Sequence, residues 1–324
     1  MSEKTDSEMI AAAASVTKLR DGMASVIRGQ HDMIDLMLAT LLARGHALLE
    51  GVPGTAKTLS GRVLTTLLSC RFKRVQFTPD LMPSDILGTT VFTPGTNEFH
   101  LHQGPVFTDL LLADEINRSP AKTQAALLEA MAERHATIDG VRHLLSPIFT
   151  VFATQNPVEF EGTYPLPEAQ QDRFLMKIRI GYPGEEAEAE ILQAVHAGFP
   201  PDNLEAHGIA PVIDLDQVIM LQRAANRVRV EPAILSYILA VVRATRSHDS
   251  IQLGGGPRAS IAILTAAKAW ALVQARDFVT PDDILRVLNP VLEHRIVLTA
   301  DAEISGTDKA SVLADLIAAQ EVPR

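Results

Sequence analysis

Across the first half of the chain, apolar residues at helical spacing alternate with short unbroken apolar runs; in the second half helical spacing takes over. Ile34, Met37, Leu38, Leu41 and Leu42 predict a helix over 31–43, which Gly45 ends before the run Ala47-Leu48-Leu49. Residues 72–77, the run Leu110-Leu111-Leu112-Ala113 and residues 148–154 read as further buried strands. Between them, Ser119 as N-cap and Pro120 at the first helical position predict a helix carrying Ala126, Leu127, Ala130 and Met131 on one face. Strand and helix signals in alternation argue for a three-layer α/β fold.

Two excursions interrupt that alternation. Residues 86–93 and 98–102 are strand-like and flank the turn cluster Pro94-Gly95-Thr96-Asn97, and residues 135–138 and 141–144 surround Asp139-Gly140. Each predicts a hairpin, the second with the two-residue turn that matches strand twist. Residues 1–22 predict a marginal Ala-rich helical extension over 11–19. After Tyr182-Pro183-Gly184 the pattern turns helical, with Glu185-Glu186-Ala187-Glu188-Ala189-Glu190 as a solvated helix start and Thr280-Pro281-Asp282-Asp283 as a capped one. The expected domains are 1–22, a core over 23–183 and a helical domain over 184–324.

Composition narrows the class. A chain of 324 residues with 47% apolar content can build two cored domains. No apolar run approaches the roughly 20 residues a membrane span needs, and Met1-Ser2-Glu3-Lys4-Thr5-Asp6 is too polar for a signal peptide. The single cysteine, Cys70, reads as packing and points to the cytoplasm. A net charge of −10 argues against broad nucleic-acid binding. The ten histidines lack zinc-ligand spacing, and His100 with His102 reads as a solvated strand face.

The candidate chemistry lies in Gly51-Val52-Pro53-Gly54-Thr55-Ala56-Lys57-Thr58, between an apolar run and a helix start. Small residues let successive N–H groups converge on phosphate oxygens, Lys57 can reach the outer phosphates, and the Thr58 hydroxyl can bind a divalent ion. The general pattern has Gly where this chain has Ala56. Downstream, Asp114 and Glu115 close a buried strand at the edge where phosphates would lie; Asp114 would hold the ion's water shell and Glu115 would orient and deprotonate the attacking water. Asn156, at the tip of a neighbouring strand, would lie between the γ-phosphate and that water. Arg173 and Arg258 are candidate second cations for developing phosphate charge.

These segments, with Ile116-Asn117-Arg118, Gln124-Ala125-Ala126-Leu127-Leu128-Glu129-Ala130-Met131, Ala153-Thr154-Gln155-Asn156-Pro157, Glu161-Gly162-Thr163-Tyr164-Pro165-Leu166-Pro167-Glu168-Ala169-Gln170 and Asp172-Arg173-Phe174, resemble the MoxR family of AAA+ ATPases from about Ile27 to Arg295. Ala56 is usual in that family. The resemblance implies a P-loop three-layer αβα core with a mainly parallel sheet, a small all-α lid, and ATP with Mg2+ bound between them in a ring, usually a hexamer. It makes Gly51 to Thr58 the Walker A loop, Asp114 and Glu115 Walker B, Asn156 the first sensor, Arg173 the finger reaching into the next subunit, and Arg258 the second sensor. Ile27 and Gly29 join the nucleotide-binding set. Gly254-Gly255-Gly256-Pro257-Arg258 stands where the family writes Gly-Ala-Ser-Pro-Arg, and the extra glycines predict a looser hinge.

The implied function is chaperone-like remodelling or activation of client proteins, often ones with a von Willebrand factor A domain, in cofactor insertion or complex maturation. A nucleic-acid motor and a metal-chelatase motor subunit are the alternatives. Acidity and 5% aromatic content weigh against the first of these.

Overall fold

The apolar runs pair into one parallel sheet, and the chain wraps it unequally on its two faces. The computed structural model describes residues 2–95, 97–156, 163–199, 203–204 and 207–323. Helices α1 (Ser2–Ala24) and α2 (His31–Leu42) precede β1 (Ala47–Gly51), α3 (Lys57–Leu67), β2 (Phe72–Gln76) and α4 (Pro83–Leu87). An antiparallel pair, β3 (Gly88–Thr93) and β4 (Glu98–Gln103), leads to β5 (Leu110–Asp114) and α5 (Ala121–Glu133). A second pair, β6 (His135–Ile138) and β7 (Val141–Leu144), is followed by β8 (Thr150–Gln155), α6 (Glu168–Gln171) and β9 (Met176–Ile180).

The sheet order is β2-β5-β8-β1-β9, every pairing parallel. Parallel pairing needs crossovers, so all five strands point their carboxyl ends to one edge. There the loop after β1, the acids ending β5 and the polar tip of β8 meet. The helical second domain follows as α7 (Glu185–His196), α8 (Leu215–Arg227), α9 (Pro232–Ala244), β10 (Ile251–Leu253), α10 (Pro257–Val273), α11 (Pro281–Leu292), β11 (Val297–Leu298), α12 (Ala300–Ile304) and α13 (Lys309–Ala318).

Alternate strand residues divide between two cores. Ala47, Leu49, Leu110, Leu112, Phe152, Met176 and Ile178 enter a cluster that continues without a break through α1, α2 and α3 into α8, α9, α10, α11 and α13. Leu48, Leu111, Ala113, Val151 and Ala153 face the other way, onto α4, α5 and the β6–β7 pair, in a smaller core. Polar ties cross the seam between core and lid on the first face. Gln222 of α8 donates to the Leu41 carbonyl at 2.9 Å, and Asp35 of α2 accepts from Arg20 of α1 at 2.6 Å and from Gln274 at 3.2 Å.

Several expectations shift. The N-terminal extension is a 23-residue helix, longer than the expected 11–19, and its Val16, Leu19 and Met23 are buried in the shared core. Residues 86 and 87 belong to α4, not to the first hairpin, because Pro83 starts a helical turn that Asp85 closes by accepting the Met82 N–H at 2.8 Å. Pro120 is the N-cap of α5 and not its first residue: its ψ of 151° is extended, and the Ser119 hydroxyl donates to the Ile116 carbonyl instead. Strand β8 begins at Thr150 rather than 148. The Asp139-Gly140 turn forms with φ of 49° and 80°, and Thr280 caps α11. The expected turn residue Thr96, and Pro157, Glu161 and Gly162 of the quoted segments, lie outside the described residues.

The glycines before α10 differ in how tightly they are held, and Gly254, the one shared with the family pattern, is the most confined. A Cβ on Gly254 would stand 2.6 Å from the Thr245 carbonyl oxygen. Gly255 donates its N–H to the Thr245 hydroxyl at 2.9 Å, and its carbonyl accepts from Arg246 at 2.8 Å. Backbone meets backbone at Gly254, where only glycine fits, whereas a Cβ on Gly256 would meet nothing within 4 Å.

Candidate functional site

At the carboxyl edge a cavity of about 390 Å³ is lined by Pro53 to Leu59, Arg74, Gln76, Asp114, Glu115, Thr154, Gln155 and Asn156. The loop from β1 to α3 shapes it. Gly54 takes φ 85° and Ala56 takes φ 64°, so the residue at the general pattern's glycine position is left-handed here, and alanine adopts that conformation at a cost of about 1–2 kcal/mol. The Thr55 hydroxyl donates to the Val52 carbonyl at 2.9 Å and closes the loop on itself. Helix α3 starts at Lys57, so its free N–H groups point into the cavity.

Each charged group at this edge has an internal partner. Lys57 Nζ donates to the Gly51 carbonyl and to the Val52 carbonyl, the latter at 2.8 Å. Burial pushes its pKa down, against the pull of Asp114 and Glu115. Asp114 is held on both oxygens: Oδ1 accepts from the Thr154 hydroxyl at 2.6 Å, and Oδ2 accepts from Arg74 Nε at 2.9 Å and Nη2 at 2.6 Å. The Thr58 hydroxyl lies 3.3 Å from the same Oδ2. Glu115 has a left-handed backbone, φ 56°, and donates its N–H to Thr154 at 2.8 Å; Gln76 Nε2 donates to its Oε2 at 2.6 Å and Arg118 lies 3.1 Å from it. Asn156 is buried and lines the same cavity.

Among the described residues no group of three or more His, Cys, Asp or Glu side chains could hold a metal ion. Thr58 and Asp114 offer two oxygens on one side of the cavity. That donor set fits Mg2+, which keeps waters and takes phosphate oxygens for its remaining ligands.

Not every expected site residue converges here. Arg173 is exposed on the turn after α6, where its Nη1 donates to the Leu128 carbonyl at 3.0 Å and Phe174 beside it is fully buried. Arg258, in the first turn of α10, is 85% exposed and approaches Asp172 at 3.5 Å. Ile27 is buried in the large core, and Gly29, at φ 70°, has α7 so close that a Cβ would stand 2.5 Å from that of Ala187. None of the four lines the cavity. Conversely, sequence reasoning gave no role to Arg74, Gln76, Arg118 or Thr154. Two polar residues at period two in a strand were the available signal, and it is informative only once β2 is known to lie beside β5.

Asp172 ties these outer parts together. Its Oδ1 accepts from Arg295 Nε at 2.8 Å, and Arg295, only 6% exposed, also donates to the carbonyls of Phe174 at 2.6 Å, Leu175 at 3.1 Å and Val291. His294 beside it bonds the Phe174 carbonyl through Nε2 at 3.0 Å, and burial holds its pKa well below the ordinary value.

Comparisons with known proteins agree with this geometry. Residues 46–176 match the ATPase family associated with various cellular activities (AAA), and residues 243–316 match the AAA lid domain. A crystal structure of a candidate ATPase from Cytophaga hutchinsonii superposes with a TM-score of 0.90 at 37% identity, covering 99% of each chain. The fold is therefore that of an AAA+ core with its lid. Chaperone MoxR1 of Mycobacterium tuberculosis is 46% identical over 86% of this chain and 74% of its own length, and YeaC of Bacillus subtilis, itself uncharacterised, is 47% identical over 92% of both. The chain belongs to the MoxR family of AAA+ ATPases.

Proposed function

We propose that this protein binds ATP with Mg2+ in the cavity between Gly51–Thr58 and the β5–β8 edge, hydrolyses it to ADP and phosphate, and uses the cycle in a ring, of hexameric type, to remodel client proteins. The observation that carries the reading is the convergence of Lys57, Thr58, Asp114, Glu115 and Asn156 on one cavity from three parallel strands. Loop N–H groups and Lys57 bind the phosphates; Lys57 exchanges two carbonyl partners for phosphate oxygens. Thr58 and Asp114 hold the ion, which when bound neutralises charge on the phosphates. Glu115 leaves Gln76 and Arg118 to accept the proton of the attacking water, and Asn156 orients that water against the γ-phosphate.

Ile27 and Gly29 belong to the nucleotide-binding set only on the family resemblance, since neither lines the cavity. Arg173 serves the neighbouring subunit's site, and Arg258 reports the γ-phosphate to the lid. Support for a client-facing role comes from the hairpins: Phe92 and Phe99 face each other across β3 and β4 with ring centroids 5.1 Å apart and stay exposed, as do Val141 and Leu144. Exposed aromatic and aliphatic clusters of this kind mark interaction surfaces. A client with a von Willebrand factor A domain, a cytoplasmic setting and a part in cofactor insertion or complex maturation follow the family's habit. Among the described residues no helix is long and apolar enough to cross a membrane.

The test is a nucleotide titration paired with phosphate release. Glu115→Gln should keep ATP affinity within a few-fold and lose turnover by about two to four orders of magnitude, whereas Lys57→Ala should lose affinity itself. Equal nucleotide affinity in wild type and Lys57→Ala would overturn the assignment of the cavity.

A further inference from the structure

Arg74 stands where the chemistry of the site leaves least room for it. Two of its N–H groups converge on Asp114 Oδ2, at 2.9 and 2.6 Å, and this is the carboxylate oxygen that faces the Thr58 hydroxyl at 3.3 Å. The other oxygen is taken by Thr154 at 2.6 Å. A divalent ion served by Thr58 and Asp114, directly or through a water, must displace these guanidinium hydrogens, and two cations on one carboxylate repel. The side chains differ in freedom: Asp114 is 9% exposed and fixed, whereas Arg74 is 50% exposed and can turn. Arg74 also lines the same cavity as Gly54, Lys57 and Thr58, so phosphate oxygens there would be within its sweep.

We infer that Arg74 competes with the divalent cation for Asp114, so that the ion enters only as a complex with nucleotide, whose phosphates then take Arg74. The inference rests on the nucleotide reading above. The exchange keeps charge paired throughout. Before it, guanidinium and carboxylate neutralise each other; after it, the ion answers Asp114 and the guanidinium answers a phosphate, a fork geometry that suits arginine better than lysine. Arg74 is then a positioning residue: it stops bare Mg2+ from settling on the acids, and its release accompanies loading. A purely structural ion pair would steady Asp114 beside Glu115 but would not set the order of metal and nucleotide.

Free Mn2+ followed by electron paramagnetic resonance reads this directly on the full chain, with and without a non-hydrolysable ATP analogue. Wild type should take up Mn2+ appreciably only with the analogue. Arg74→Ala should bind Mn2+ without nucleotide at least ~10-fold more tightly than wild type, and adding Asp114→Asn should abolish the gain. Arg74→Lys, which keeps the charge, should stay near wild type without nucleotide and serves with Arg74→Gln if the alanine variant misfolds. In the presence of Mn2+, Arg74→Ala should weaken analogue binding several-fold. Identical nucleotide-free Mn2+ isotherms for wild type and both uncharged variants, with analogue binding intact, would overturn the inference alone. Failure of wild type to bind the analogue would overturn the nucleotide reading and the inference with it.

Discussion

The two faces of the sheet are built from the same strands, yet they belong to different kinds of structure. On one face Leu111, Ala113 and Val151 meet α4, α5 and a hairpin, and the core ends there. On the other, Leu110, Leu112 and Phe152 open a hydrophobic continuum that runs through α1 and α2 into the lid. A lid joined to its core in this way cannot swing as a free flap, because parting the two would expose apolar surface at roughly 25 cal/mol per Å². Motion between them must be a small slide of packed helices. The other face is free of that constraint, and it is the one that carries the exposed hairpins.

Cutting the polar seam should have the largest effect. Arg295→Ala removes a buried cation from Asp172 and three carbonyls, and should cost about 3–5 kcal/mol, read as a drop in the urea midpoint. Next in size, Leu19→Ala and Leu128→Ala each empty a fully buried site on opposite faces and should each cost about 2–5 kcal/mol. The comparison predicts that Leu19→Ala lowers lid and core together in one transition; a separate lid transition, seen by a lid-specific probe such as Trp270 fluorescence, would break it.

A smaller effect is set by pH. His46 is fully enclosed, accepts the Val151 N–H at Nδ1 and has its pKa lowered from 6.5 to about 3, and His294 is lowered for the same reason, burial. The unfolded chain therefore binds more protons between those values. Stability is complete above pH 6.5 and falls as pH drops below it, by about 1.4 kcal/mol per unit for each histidine. His46→Gln should remove one proton from that slope between pH 6.5 and 5, and an unchanged slope would reject the buried neutral imidazole. Smallest in stability is Phe99→Ser on the exposed hairpin, expected within about 0.5 kcal/mol of wild type. Its effect should appear as lost client stimulation of hydrolysis with basal turnover kept; intact stimulation would remove that hairpin from the working surface.

How much of this was legible depended on distance along the chain. The loop between β1 and α3, the Asp139-Gly140 turn and the Thr280 cap are local patterns that formed as read, while β5 ends at Asp114 and Glu115 turns off it. Helix α1 outran its expected span at both ends, because residues 2–8 carry no apolar periodicity of their own, while beyond Leu19 the helix is held by Met23, buried in the large core. The role of Arg74 was hidden for a topological reason: Phe72-Lys73-Arg74-Val75-Gln76 reads only as a strand until β2 pairs with β5 and sets Gln76 opposite Asp114. Arg258 and Arg173 remain apart from the cavity within the single chain. The tight Gly254 contact, too, is invisible without its partner Thr245.

Asp172 holds Arg295 firmly and Arg258 only lightly. Because the enclosed Arg295 already neutralises this carboxylate, the second arginine leaning on it from α10, 85% exposed and 3.5 Å away, contributes no more than a surface pair, about 0–1 kcal/mol. Were Arg258 to turn toward a phosphate, as proposed, no buried charge would be abandoned. On the proposed sensor role, nearly all the attraction of a phosphate for that arm would be available to move the helix behind it, and a single substitution at Asp172 would leave Arg295 stranded rather than set the arm free.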